Sequence, residues 1–111
     1  MAEFPVFKRQ TIFYGDPAER VLLTVGDLNA DSVPEIVVGS RRGQNGLYWL
    51  QKSDTGDWKK HLMDDAYPSL EAGGVLYDVT GNGTLDFIGG GDSSTRHISW
   101  WECPDDPTQR W

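Results

Sequence analysis

Two short stretches of this chain concentrate oxygen-bearing side chains at alternate positions. The first reads Asp27-Leu28-Asn29-Ala30-Asp31-Ser32-Val33-Pro34-Glu35, and the second Asp78-Val79-Thr80-Gly81-Asn82-Gly83-Thr84-Leu85-Asp86. In both, an oxygen donor stands at positions 1, 3, 5 and 9. Such alternation can wrap successive side chains around one point, and the carbonyl at position 7 (Val33 or Thr84) offers a further oxygen. Hard cations are held in this way: Ca²⁺ takes about 6–8 oxygen ligands from carboxylates, amides, carbonyls and water. Mg²⁺ fits less well, because it demands near-octahedral geometry and gives up water reluctantly. No Cys/His cluster suggests zinc. The same residues can also form Asx-type turns, whose side chains cap backbone amides without a metal.

The spacing resembles the start of an EF-hand loop, but no Glu follows at position 12 and no flanking segment has a helical apolar period. A strand–loop–strand site is the reading that remains. The elements that must position it are visible as a repeat. Laid on itself with Asp27 over Asp78, the chain matches through its whole length at an offset of 51 residues. Phe7-Lys8 falls on Trp58-Lys59, Ile12 on Met63, Pro17 on Pro68, Asp31 on Asn82 and Glu35 on Asp86. Ile36-Val37 falls on Phe87-Ile88, Gly39 on Gly90, Leu47 on Ile98, and Trp49 on Trp100.

Each copy reads as four short strands separated by Gly, Asn, Asp, Ser and Pro. The first strand is Val21–Val25 or Gly74–Tyr77, and the second, after the acidic loop, is Glu35–Gly39 or Asp86–Gly90. The third carries aromatics, Gly46–Leu50 or His97–Trp101, and the fourth alternates, as in Trp58–Met63. Gly89-Gly90-Gly91 is followed by no helix and reads as a turn, and Arg41-Arg42 as a solvated loop pair. Four strands in about 50 residues, repeated, predict an all-β chain of two propeller-type blades. The whole of 1–111 forms one two-blade module, with repeat one at about 7–57 and repeat two at about 58–108. Residues 109–111 begin a further strand if the turn after Pro104 is two residues longer than its counterpart.

The phase of the repeat is offset from the blades. The chain opens on a fourth strand, Phe7 to Phe13, that must complete a blade supplied from elsewhere. Two blades cannot close a ring of about four to eight, and an open pair exposes a sheet edge and two apolar faces. The expected partners are therefore other copies of the chain, three or four of them, or further blades of a longer polypeptide.

Both loops resemble the Asp-x-Asp/Asn-x-Asp/Asn-Gly-x-x-Asp motif of FG-GAP/VCBS repeats, the blades of integrin-α-type propellers, and the resemblance covers nearly the whole chain. It implies Ca²⁺ at each loop, with Asp27, Asn29, Asp31 and Glu35 in one site and Asp78, Thr80, Asn82 and Asp86 in the other. It also implies an extracellular or periplasmic setting. The sequence departs from the motif at Ser32, where a glycine is usual, and at Glu35 in place of the final Asp. Thr80 and Asn82 leave the second loop two carboxylates, but that loop has the better turn glycines, Gly81 and Gly83.

Family members with similar aromatic third strands include polysaccharide lyases, sugar dehydratases and lectins. The matching residues here are Trp49 and Trp100-Trp101-Glu102-Cys103-Pro104. Trp49 and Trp100 read as packing residues between blades, whereas Tyr48 and Trp101 read as the freer platforms for a sugar face. Arg96 and His97 beside them give a candidate ligand-binding set of Tyr48, Trp101, His97 and Arg96. An acid–base pair for β-elimination could be assembled from His97, Arg96 and Tyr48, but nothing in the spacing demands it, and His61 lies in a strand read as an alternating surface one. The expectation is thus a binding or scaffolding module, not an enzyme by itself. The alternative is a fragment of a secreted carbohydrate-active propeller enzyme.

Composition agrees with this reading. Thirteen glycines and 13 aromatic residues suit short strands and tight turns, with 38% hydrophobic and 24% charged residues. No apolar run approaches the roughly 18 residues of a membrane span. Met1–Pro5 has no basic segment followed by an apolar one, so no signal peptide is expected at this N-terminus. The net charge of −7 argues against a nucleic-acid partner. Asp27, Asp31, Glu35, Asp78 and Asp86 supply five of those charges, so the acidity reads as stored cation ligands. The single cysteine, Cys103, permits no intrachain disulfide and reads as a small, partly buried residue.

Overall fold

The computed structural model describes residues 2–14, 20–41, 46–66, 70–91 and 96–111. Among them there is no helix. The described residues form seven strands: β1 (Arg20–Gly26), β2 (Glu35–Ser40), β3 (Leu47–Lys52), β4 (Trp58–Asp64), β5 (Leu70–Tyr77), β6 (Asp86–Gly91) and β7 (Ile98–Trp101), with successive strands antiparallel within each sheet. The first four form one sheet in the order β1-β2-β3-β4, and the last three a second sheet in the order β5-β6-β7. The correspondences Pro17/Pro68 and the residue Arg42 lie outside the described residues.

The two sheets pack face to face, with β1 lying against β5. Alternation along each strand decides what enters the interface. Leu22, Val37, Leu47, Trp49 and Met63 of the first sheet meet Leu70, Phe87 and Trp101 of the second, with Leu28 closing one end. Trp49, Leu47, Met63 and Phe87 are completely buried there. Close approach depends on small residues: a Cβ on Gly26 would lie 2.7 Å from Leu76 Cδ1.

The other face of the first sheet carries a second cluster, Val38, Tyr48 and Leu50, flanked by Phe13, Ile36, Trp58 and Leu62. Lys60 lies over the Tyr48 ring, with Nζ 4.5 Å from its centroid, a cation–π contact on a surface strand. The outer face of the second sheet has no such cover among the described residues. Val75, Tyr77, Ile98 and Trp100 are all exposed on it.

Three sequence expectations are corrected here. The segment Phe7 to Phe13, expected as a strand, has no strand pairing: Phe7 is exposed, and Phe13 packs its ring on the Tyr48 side of the first sheet without joining a ladder. Gly89-Gly90-Gly91, read as a turn, continues β6. The Phe87 ring occupies the space that side chains at Gly74 and Gly89 would fill, so the glycines are the seat of that ring. Residues 109–111 begin no strand. The turn at Asp106 sends the tail back over β4, where the Trp111 N–H donates to the Met63 carbonyl at 3.2 Å. The Pro107 carbonyl accepts from both Trp49 Nε1 (3.1 Å) and Trp111 Nε1 (3.0 Å), and Arg110 pairs with Asp65.

Candidate metal centre

Both acidic loops are strand-to-strand connections within a sheet, β1 to β2 and β5 to β6, and both are built on the same two left-handed positions. In the second loop these are glycines, Gly81 (φ 75°) and Gly83 (φ 89°). In the first they are Ala30 (φ 60°) and Ser32 (φ 68°). A Cβ in this region costs on the order of 1–2 kcal/mol, so the first loop holds a strained backbone that the second avoids. Ser32 was visible as a departure from the motif. Ala30 was signalled only by its match to Gly81 in the repeat.

In the first loop Asp27 organises the turn. Its Oδ1 accepts the Asp31 N–H at 3.1 Å and its Oδ2 the Ser32 N–H at 2.9 Å. Asn29 Oδ1 also accepts from Asp31 N–H (3.2 Å), Asn29 Nδ2 donates to Asp31 Oδ2 (3.1 Å), and Asp31 Oδ1 accepts the Val33 N–H (2.8 Å). Glu35 enters from the start of β2, buried to 1% exposure, and its Oε2 accepts the Leu28 N–H at 2.7 Å. Ligand oxygens of Asp27, Asp31 and Glu35 converge to within 4.8 Å of one another. Burial pushes the Glu35 carboxyl above its ordinary range, against the Leu28 N–H, and the charges of Asp31 and Asp27 push it the same way.

The second loop copies the turn and alters the site. Asp78 Oδ1 accepts from Gly81 and Asn82 and Oδ2 from Gly83, while Asn82 Oδ1 accepts the Thr84 N–H and Oγ1. Asp86 is one methylene shorter than Glu35 and completely buried. One of its oxygens accepts the Val79 N–H at 3.0 Å, as Glu35 accepts Leu28. The other accepts the Cys103 N–H at 2.9 Å, tying the loop to the exit of β7. That second bond joins residues far apart in sequence, and no local pattern announces it. Thr80 and the Thr84 carbonyl complete the sequence-expected set, but the second loop brings no third carboxylate to Asp78 and Asp86.

A divalent cation fits the first loop on the chemistry of its donors. Three carboxylates share one small space, and each oxygen engaged by one N–H keeps a second lone pair. The Val33 carbonyl lies on the same turn.

The aromatic candidates are placed otherwise than their sequence suggests. Tyr48 (2% exposed) and Trp101 (7%) are buried, so neither presents a ring face to a sugar. Trp101 sits between the sheets, its ring 5.4 Å from Phe87 and its Nε1 donating to Asp64 at 2.8 Å. Trp100, read as a packing residue, is the half-exposed one, because the outer face of the second sheet is open. Arg96 and His97 are exposed at the entry to β7, in the second sheet, whereas Tyr48 lies on the face of the first sheet turned away from it. His61 is not a surface residue: it is buried, stacked on Trp49 at 4.2 Å, with Nε2 2.9 Å from Gln51 Oε1. Cys103 is buried, and its thiol is pushed up to about 11, first by burial and then by Asp86.

Compared with protein-family models, with curated proteins and with solved structures, the chain matches none.

Proposed function

We propose that this chain is a calcium-binding module of the FG-GAP/VCBS propeller type that serves in binding or scaffolding and closes into a ring with other copies of itself. The observation that carries the calcium reading is the convergence of Asp27, Asp31 and Glu35 within 4.8 Å at the end of two paired strands. Three carboxylates so placed repel one another, and a bound Ca²⁺ turns that repulsion into attraction. Asn29 and the Val33 carbonyl are the further ligands in this reading. The second loop, with Asp78, Thr80, Asn82, Thr84 and Asp86, is the weaker site, since it offers two carboxylates where the first offers three.

The role proposed for the ion is to fasten β1 to β2 and to neutralise the acidic end of the sheet. A ligand that binds the folded state alone stabilises it by linkage, by about 3 kcal/mol at a free concentration a hundredfold above its dissociation constant. Thermal unfolding in calcium and in chelator tests this. The melting temperature should rise by several degrees in calcium, and Asp27→Ala should remove most of that rise. A variant that gains as much from calcium as the parent contradicts the first site. Asp78→Ala should act in the same direction but less strongly.

A further inference from the structure

Asn82 and Gly83 form an Asn-Gly pair at the tip of the second loop, and both are exposed. Such a pair is open to deamidation, because glycine has no side chain to hinder attack of its backbone nitrogen on the amide carbon before it. The turn adds chemical groups to the bare dipeptide. Asp78 Oδ2 accepts the Gly83 N–H at 2.8 Å. Asn82 Oδ1, on the carbon to be attacked, accepts the Thr84 N–H at 3.0 Å and the Thr84 hydroxyl at 2.6 Å. A carboxylate on the nucleophile's proton and two donors on the carbonyl oxygen are the groups that assist acyl transfer.

The first loop shows that the product fits. Its residue at the place of Asn82 is already an acid, Asp31, followed by Ser32. Asp31 Oδ1 accepts the Val33 N–H at 2.8 Å, as Asn82 Oδ1 accepts that of Thr84. Asp27 Oδ2 accepts the Ser32 N–H at 2.9 Å, as Asp78 accepts Gly83. A carboxylate at this position therefore sits in the turn without rearranging it.

We infer that Asn82 is a self-processing site, deamidated to aspartate in the folded chain by Asp78 and Thr84. As the Gly83 nitrogen bonds to Asn82 Cγ, its proton passes to Asp78 and the C=O electron pair moves onto Oδ1, held by the two Thr84 donors. The Cγ–Nδ2 bond then breaks, the proton on Asp78 goes to the leaving nitrogen, and ammonia departs from a five-membered succinimide. Water adds to Cγ, whose oxygen Thr84 still polarises, and the bond from Cγ to the Gly83 nitrogen breaks as a proton returns to that nitrogen. The ordinary peptide is restored, with a carboxylate at position 82. One water is consumed and one ammonium released, so the chain gains about 1 Da and one negative charge. The second loop then has three carboxylates, at positions 78, 82 and 86, matching Asp27, Asp31 and Glu35. Tighter calcium binding as a consequence rests on the proposed function; the deamidation does not.

Peptide mapping by mass spectrometry, on chain kept warm at neutral pH in chelator, follows position 82 apart from the other Asn-Gly pair, Asn45-Gly46. Asn82 should convert about tenfold faster in the native chain than in the guanidinium-denatured one. An equal or slower native rate would overturn the inference, since the bond on the Gly83 N–H would then protect the site. Thr84→Val removes the hydroxyl and keeps the N–H; it should slow native conversion about fivefold, and Thr84→Ser should restore it. No slowing in the valine variant would overturn the role of Thr84. Asp78→Asn should bring the rate down to that of the denatured chain, and a faster rate would contradict Asp78 as the base. The product should be mainly aspartate, and mainly isoaspartate would contradict opening at Cγ. Calcium titration of fresh and fully converted chain separates the two readings: conversion with no gain in affinity sinks the calcium reading of this loop and leaves the modification standing.

Discussion

Ser32 and Ala30 hold left-handed backbone that a glycine would adopt without strain, and the second loop places Gly83 and Gly81 at the same points. Ser32→Gly should therefore stabilise the fold by about 1 kcal/mol, and Gly81→Ala should destabilise it by a similar amount. Chemical denaturation of the two variants checks this, and the opposite sign in either would contradict the account of the loops. Cys103 gives a second test at this scale. With its thiol pushed up to about 11 by burial and by Asp86, it should react with a thiol reagent at neutral pH only as fast as the protein unfolds. Rapid labelling of the native chain would show that the β7 exit is open. The alternation at positions 1, 3, 5 and 9 made these loops legible from sequence. The split between Glu35 and Asp86 was not, because Asp86 accepts the loop amide of Val79, as Glu35 accepts Leu28, and also the Cys103 amide from a distant part of the chain.

Among the strands, period-two alternation and the 51-residue offset place all seven described strands within a few residues of where they lie, except that β5 begins at Leu70, four residues before its expected start. Strand pairing of Phe7–Phe13 was not legible in this way, since a strand needs a partner edge as well as a pattern. Nor was the burial of His61, which alternates like a surface residue but is stacked on the Trp49 ring, itself held by the returning tail through the Pro107 carbonyl. Burial and Lys59 hold its imidazole below the ordinary 6.5, with Asp106 opposing them. The unfolded chain takes up the proton first, so stability should fall as pH drops below 6.5. His61→Gln should flatten that part of the stability–pH curve, and an unchanged curve would mean that the imidazole protonates freely in the folded state. In the second sheet, Phe87 fills the room left by Gly74 and Gly89. With glycines, which have no side chain to move into the void, beside the ring, Phe87→Ala should cost about 3–5 kcal/mol, read as a lowered denaturation midpoint.

At the scale of the whole molecule, the unlike faces of the two sheets govern. The inner faces bury one continuous cluster between them, while the outer face of the second sheet leaves Val75, Tyr77, Ile98 and Trp100 exposed beside an edge strand. Such a surface favours association, and the net charge of −7 opposes it. The proposed function couples calcium to assembly: ions that neutralised the loops would relieve repulsion between copies brought together by the outer faces. Solution mass by light scattering, once in calcium and once in chelator, tests that coupling most directly. The account predicts a discrete assembly of three or four chains in calcium that dissociates or unfolds in chelator. A monomer of 12.4 kDa under both conditions would contradict it.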